Sequence, residues 1–125
     1  MKTILIVDDD AVSVRLIATI LTRNGYAAAA ASSAAEALAW LDLSPGVGLV
    51  ITDQHMPGMT GLELTSALRA DPRFANLPVI LCTGAADRAT IKEATSLGIR
   101  HLIAKPVTPK VVMDKVLAIE AERQQ

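Results

Sequence analysis

The sequence predicts an α/β domain built on a doubly wound parallel sheet. Two observations carry this. Short apolar runs alternate with helix-period segments five times along 125 residues, the pattern of strand–helix units rather than hairpins. The runs are also continuous, as in ILIV, LVI and VILC. Strands without polar alternation are covered by helices on both faces. Crossovers between parallel strands are right-handed, which leaves few topologies.

Taken in order, Thr3 to Val7 (TILIV) forms the first strand, ended by Asp8, Asp9 and Asp10. The first helix runs to about Asn24, with Leu16, Ile17, Ile20 and Leu21 on one inward face at helical spacing, and Gly25 suits its C-terminal cap. Tyr26 to Ala31 is a short second strand despite alanines that favour helix. Ser32 or Ser33 caps a second helix through Leu43, and Pro45 and Gly46 break the chain before the third strand. That strand, with Leu49, Val50 and Ile51 at its centre, runs out into a loop punctuated by Pro57, Gly58 and Gly61, with Asp53 where it surfaces. Thr60 caps a third helix to about Ala70, and Asp71-Pro72 ends it. Leu77 to Thr83 is the fourth strand. Asp87 caps the fourth helix, with Ile91, Ala94 and Leu97 on one face and Gly98 at its end. Ile99 to Ala104 is the fifth strand, placed at a sheet edge by the polarity of Arg100 and His101. After Lys105-Pro106, Thr108 caps a last helix that turns Val112, Val116 and Ile119 inward and ends in EAERQQ.

Composition excludes several classes. The chain is 51% hydrophobic with a formal net charge of −1, which fits a globular domain and neither a disordered chain nor a polyanion binder. Aromatics make up 2% (Tyr26, Trp40 and Phe74), too few for base-stacking platforms, so no direct nucleic-acid contact is expected. Cys82 is the sole cysteine, which rules out an intramolecular disulfide and a multi-cysteine metal site and reads as a packed core thiol. The N-terminal apolar run is too short for a signal peptide, and no stretch has the length of a membrane span. These features together predict a soluble protein of a reducing compartment, the cytoplasm.

In a doubly wound sheet, ligands bind beyond the carboxyl ends of the strands. Asp8 and Asp9 end the first strand, Asp53 the third, Thr83 the fourth and Lys105 the fifth. Crowded carboxylates repel and stay protonated in part unless a cation offsets them. Oxygen ligands at this density suit a hard divalent ion, Mg2+ or Mn2+. Lys105 adds a fixed positive charge and Thr83 a hydroxyl donor. Such a set receives a phosphoryl group, and an aspartate carboxylate can attack phosphorus to form an acyl phosphate.

The motifs ILIVDD, VITDQHMPGMTG, VILCTG and LIAKP, and the separations between Asp9, Asp53, Thr83 and Lys105, make the whole chain, 1–125, resemble a single response-regulator receiver domain of two-component signalling. The resemblance implies a flavodoxin-like (βα)5 fold with the sheet in the order 2-1-3-4-5. It implies that Asp53 accepts a phosphoryl group from the phosphohistidine of a sensor histidine kinase or phosphotransfer protein. Asp9, Asp53 and the backbone carbonyl of His55 would bind Mg2+, with Asp8 holding a metal-bound water. Thr83 and Lys105 would contact the phosphoryl oxygens, Gly84 would leave room for them, and Lys105-Pro106 would be cis. An output protein, not named by the sequence, would read the altered surface. A weak homodimer through the face of the fourth helix, fifth strand and last helix is a further use of that surface. The family often carries Tyr or Phe as a switch at the position of Leu102, a departure that bears on output and leaves the phosphorylation chemistry intact.

Neighbouring residues have plainer readings. Asp10 reads as an N-terminal helix charge, His55 as a solvent-facing loop side chain, His101 as a surface residue or part of a partner face, and Met56 and Met59 as packing residues. Two other functions fit less well. A metal-dependent aspartyl-phosphate phosphatase of the haloacid-dehalogenase type wants a second acid two residues after the nucleophile, where His55 stands, and a cap domain for which the chain has no room. A flavodoxin-like electron carrier needs a phosphate-binding loop after the first strand, where DDDAV offers acids instead. No output domain follows Gln125, so the chain reads as either a stand-alone receiver or one domain of a longer protein.

Overall fold

The computed structural model describes residues 2–123, so the final Gln124 and Gln125 of the polar tail lie outside the described residues. Strands and helices alternate throughout: β1 (Thr3–Val7), α1 (Ala11–Arg23), β2 (Ala28–Ala31), α2 (Ala34–Leu43), β3 (Val47–Asp53), α3 (Gly61–Ala70), β4 (Val79–Thr83), α4 (Arg88–Ser96), β5 (His101–Ala104) and α5 (Pro109–Arg123). The sheet has the order β2-β1-β3-β4-β5 and every pairing is parallel. The flavodoxin-like arrangement expected from the sequence is present, and β5 is at an edge.

The continuous apolar runs fill two cores, because successive residues of a strand point to opposite faces. Ile4, Ile6, Ile51, Ile80, Cys82 and Ile103 pack on one side against Ile17 and Leu21 of α1 and Val112, Val116 and Ile119 of α5. Leu5, Val7, Val50, Val79 and Leu81 pack on the other against α2, α3 and Ala94 of α4.

The sequence places two side chains deeper than the structure does. Leu16 is 44% exposed, because the buried stripe of α1 is Ile17, Ile20 and Leu21 and Leu16 flanks it. Ile91 is 42% exposed, because α4 buries Ala94 alone, and a small residue at the contact leaves its neighbours at the rim. Three strands start later than the sequence suggests. Leu77 and Ile99 precede their strands, and Tyr26 precedes β2, packing on the α1–α5 core and donating its hydroxyl to Glu120 of α5. The alanines of β2 pair in register with Ile4 to Val7. Sheet pairing between two helices overrides their helix propensity.

The helix starts follow the expected capping chemistry. Ser33 caps α2, Thr60 and Glu63 form a reciprocal capping box on α3, and Asp87 caps α4. At the far end of the sheet Arg69 donates to the carbonyls of Leu97, Phe74 and Leu77, fastening α3 to two turns. Among the described residues no helix is long and apolar enough to cross a membrane.

Candidate functional site

Strand order reverses between the parallel strands β1 and β3, since the chain proceeds from β1 outward to β2 on one side and from β3 outward to β4 and β5 on the other, and a parallel sheet opens its ligand crevice at that point. Asp8 and Asp9 follow β1 and Asp53 ends β3, so the crevice floor is acidic. Ligand oxygens of the three carboxylates lie within 4.8 Å of one another. Asp8 is 4% and Asp53 5% exposed, whereas Asp9 opens to solvent.

This crowding has electrostatic consequences. Burial pushes the Asp8 carboxyl above its ordinary pKa, opposed by the hydrogen bond it accepts from the Asp10 backbone N–H at 3.0 Å and reinforced by the neighbouring charges of Asp53 and Asp9. Lys105 places its ammonium 2.9 Å from Asp53 Oδ1. That oxygen is buried and takes no directed hydrogen bond, so the contact is an ion pair rather than an aligned donor–acceptor bond. Desolvation works against the Lys105 ammonium, but Asp53 and Asp8 outweigh it and its pKa is raised. Three carboxylates, two of them buried, against one ammonium leave a surplus of negative charge beside an oxygen that takes no directed hydrogen bond. A hard divalent cation fits that donor set.

The remaining positions arrange themselves around this centre. Thr83 is fully buried. Its hydroxyl accepts the Ala85 N–H at 3.1 Å, and its carbonyl accepts the Lys105 N–H at 3.0 Å, which joins the ends of β4 and β5. A Cβ at Gly84 would meet nothing within 4 Å, so there is open space beside Thr83. The Lys105–Pro106 peptide bond is cis. Leu102 is half-buried and packs on the core that contains Leu81, Ala94 and Ile99. The His55 side chain is exposed, while Met56 is buried and Met59 packs against the same core. His101 turns toward α5 and bonds Glu122 at 3.1 Å with 14% of its side chain exposed, so it is not a free surface group. Asp10 stands apart from the acidic cluster. Its carboxylate caps α1 by accepting from the Val12 N–H and the Ser13 hydroxyl, each at 3.0 Å, and these bonds hold its pKa low.

Two features escaped the sequence. The first is the place of Cys82, whose reading as a packed core thiol holds: it sits beside Asp53 in the β3–β4 register and lines a cavity of about 210 Å³ with Asp8, Ser13, Leu16, Lys105 and Val107. Burial first, and the Asp53 charge second, push its thiol up to about 12, which leaves it an unreactive core group. The second is Gln54, whose side chain accepts the Leu62 N–H at 2.8 Å. No spacing rule marks it, since its partner lies across a loop. A larger concavity of about 310 Å³, lined by Arg69, Asn76, Arg100, His101 and Glu122, opens at the other end of the sheet, away from the carboxylates.

Residues 4–117 match the family model for the response regulator receiver domain. The chain belongs to that family. This receiver is 40% identical over 114 residues to the chemotaxis protein CheY of Pseudomonas aeruginosa, covering 90% of this chain and 91% of the relative. It is 37% identical over 114 residues to the chemotaxis protein CheY1 of Helicobacter pylori, covering 90% and 92%. Its structure resembles the CheY-like receiver domain of Methanospirillum hungatei with a TM-score of 0.90 at 29% identity, covering 99% of this receiver and 97% of the other chain. The receiver is therefore a CheY-like domain of two-component signalling, a family of signalling switches rather than enzymes acting on a separate substrate.

Proposed function

We propose that this receiver is switched by phosphorylation of Asp53, with a histidine kinase or phosphotransfer protein as donor and a separate output protein as reader. The observation that carries the reading is the buried Asp53 carboxylate at the strand-order reversal, faced by Lys105 at 2.9 Å and flanked by Asp8 and Asp9. In the transfer, an Asp53 oxygen forms a bond to phosphorus. The bond from phosphorus to the donor histidine nitrogen breaks, its electron pair stays on that nitrogen, and the imidazole takes a proton. Asp9, Asp53 and the backbone carbonyl of His55 would hold Mg2+, or Mn2+, and Asp8 would hold a water on it. The ion supplies positive charge where two anions must meet. Lys105, already at Asp53, neutralises a phosphoryl oxygen, and Thr83 can turn its hydroxyl from the Ala85 N–H to donate to another.

The reading face is then α4, β5 and α5, where Ile91 and Leu117 are exposed. An output protein, or weakly a second copy of this chain, would bind there. The cytoplasm, where such kinases deliver phosphoryl groups, is the proposed compartment.

The test is labelling by acetyl phosphate with Mg2+. Wild type should take up one hydroxylamine-labile phosphoryl group, and Asp53→Asn none while retaining its fold by circular dichroism. Single-site labelling of the variant at the wild-type rate would move the acceptor elsewhere. Normal labelling of wild type in excess chelator would remove the ion.

A further inference from the structure

An α-helix begins with four backbone N–H groups that have no partner within the helix. In α3 these are the groups of Thr60, Gly61, Leu62 and Glu63, and all four have partners at the helix start. Gly61 N–H donates to the Gln54 carbonyl at 3.1 Å and Leu62 N–H to Gln54 Oε1 at 2.8 Å. Glu63 N–H donates to the Thr60 hydroxyl at 3.1 Å, and the Thr60 N–H donates to Glu63 Oε1 at 3.0 Å. Gln54 thus closes half of the helix start by itself, from a residue that also donates its own N–H to the Cys82 carbonyl at 2.9 Å. One residue binds β4 through its nitrogen and α3 through both its oxygens.

This residue lies between Asp53 and His55. The clamp cinches the neck of the loop from His55 to Thr60, and its carbonyl partner Gly61 packs directly on the Asp53 backbone, where a Cβ at Gly61 would come to 2.5 Å from the Asp53 backbone carbonyl oxygen. The length of the glutamine side chain matters, since its amide has to reach back across that loop to a helical N–H. An acceptor-free side chain of the same length would fill the space and release the helix start.

We propose that Gln54 is a positioning residue for the acidic site. By tying the β3–α3 loop to the first turn of α3, it sets the backbone on both sides of itself, the Asp53 carboxylate on one and the His55 carbonyl on the other. The inference rests on the reading of Asp53, Asp9 and the His55 carbonyl as the Mg2+ set. Partners that orient metal ligands without touching the ion commonly change affinity by 10- to 100-fold when removed.

The experiment compares wild type, Gln54→Met and Ser33→Ala, the last removing a helix cap on α2. In metal-free protein, the Leu62 amide of Gln54→Met should exchange with solvent at least tenfold faster than in wild type. The Mg2+ concentration for half-maximal acetyl phosphate labelling should rise at least fivefold, while the rate at saturating Mg2+ stays within threefold. Ser33→Ala should leave the Mg2+ requirement within twofold of wild type. An unchanged Leu62 amide, an unchanged Mg2+ requirement in Gln54→Met, or an equal rise in Ser33→Ala would each overturn the assignment. Failure of wild type to need Mg2+ would instead remove the reading beneath it.

Discussion

Lys105 Nζ stands 2.9 Å from Asp53 Oδ1, a buried oxygen with no directed hydrogen bond from any described residue. The pair therefore holds the end of β5 to the end of β3 across β4, and it is the positive charge nearest the proposed phosphoryl acceptor. Beside its proposed part in the chemistry, it should contribute stability. The Lys105 pKa is raised above its ordinary 10.5. A raised folded-state pKa means that the contribution is complete below the unfolded value and is lost as pH rises through the folded one. Lys105→Met should lower stability at pH 7 by about 1–2 kcal/mol, less than for a fully buried pair because the lysine is one-third exposed. The gap from wild type should narrow above pH 10.5. Urea unfolding at pH 7 and at pH 11 checks this, and an equal gap at both would mean that the pair contributes nothing.

Asp8 has the opposite sign. Burial raises its pKa above 3.8, so the ionised side chain costs the folded state stability at neutral pH, and the cost disappears as pH falls through the raised pKa toward the ordinary one. Asp8→Asn keeps an acceptor for the Asp10 N–H and removes the charge. In chelator at pH 7 it should melt higher than wild type by about 3–6 °C, equivalent to roughly 1 kcal/mol for a domain of this size. The advantage should shrink toward pH 4. Its Mg2+ affinity should fall. An Asp8→Asn protein that melts lower than wild type at pH 7 would show that the acidic cluster is not strained in the absence of metal.

The contrast between these two residues shows what the sequence could reveal. Strand ends are marked by where apolar runs stop, so Asp8, Asp9, Asp53, Thr83 and Lys105 were legible as a set, and the two-faced burial of β1, β3 and β4 was legible from their unbroken runs. The caps at Ser33, Thr60 and Asp87 were legible because their partners lie three residues on. Contacts that depend on tertiary placement were not. Leu16 matches the apolar period of α1 yet flanks its buried stripe, Tyr26 finds its partner on α5, and Gln54 reaches over a loop. The alanines of β2 carry no strand signal of their own and become a strand by pairing with β1.

Gly61 and Gly84 both lie beside the site, and their surroundings differ. A Cβ at Gly61 would sit 2.5 Å from the Asp53 carbonyl oxygen and 2.8 Å from Leu81 Cδ1. The first is backbone and has nowhere to go. Gly61→Ala should cost about 2–3 kcal/mol by overpacking, shift α3 away from β3, and slow phosphoryl labelling. Gly84→Ala, with nothing within 4 Å, should stay within about 0.5 kcal/mol of wild type. Thermal melts of the two variants side by side make the comparison. Equal losses would mean that the close approach of Gly61 to Asp53 is relieved by a small backbone adjustment.

Leu102 bears on how a signal would leave the proposed site. It pairs with Leu81 in register and is half-buried on the core shared with Ala94 and Ile99. A leucine has no hydroxyl to hold it in solvent, and full burial of such a side chain is worth roughly 1.5–3 kcal/mol. An inward or packed Leu102 in both states is therefore expected, with no exchange between solvent and core. Thr83 is free to respond, since among the described residues its hydroxyl is engaged with the Ala85 N–H alone, two residues on. Moving the Thr83 oxygen toward a phosphoryl group would release the Ala85 amide and the loop leading to Asp87, and would so shift α4, which buries only Ala94. Phosphorylation biases the two states only by its differential contacts with them, and with no ring to exchange the shift should be modest. Methyl and amide NMR with and without Mg2+ and beryllofluoride should show the Ala85 amide moving strongly while the Leu102 methyls keep one rotamer. A Leu102 side chain that passes from exposed to buried, with Ala85 unmoved, would place the switch in β5 instead.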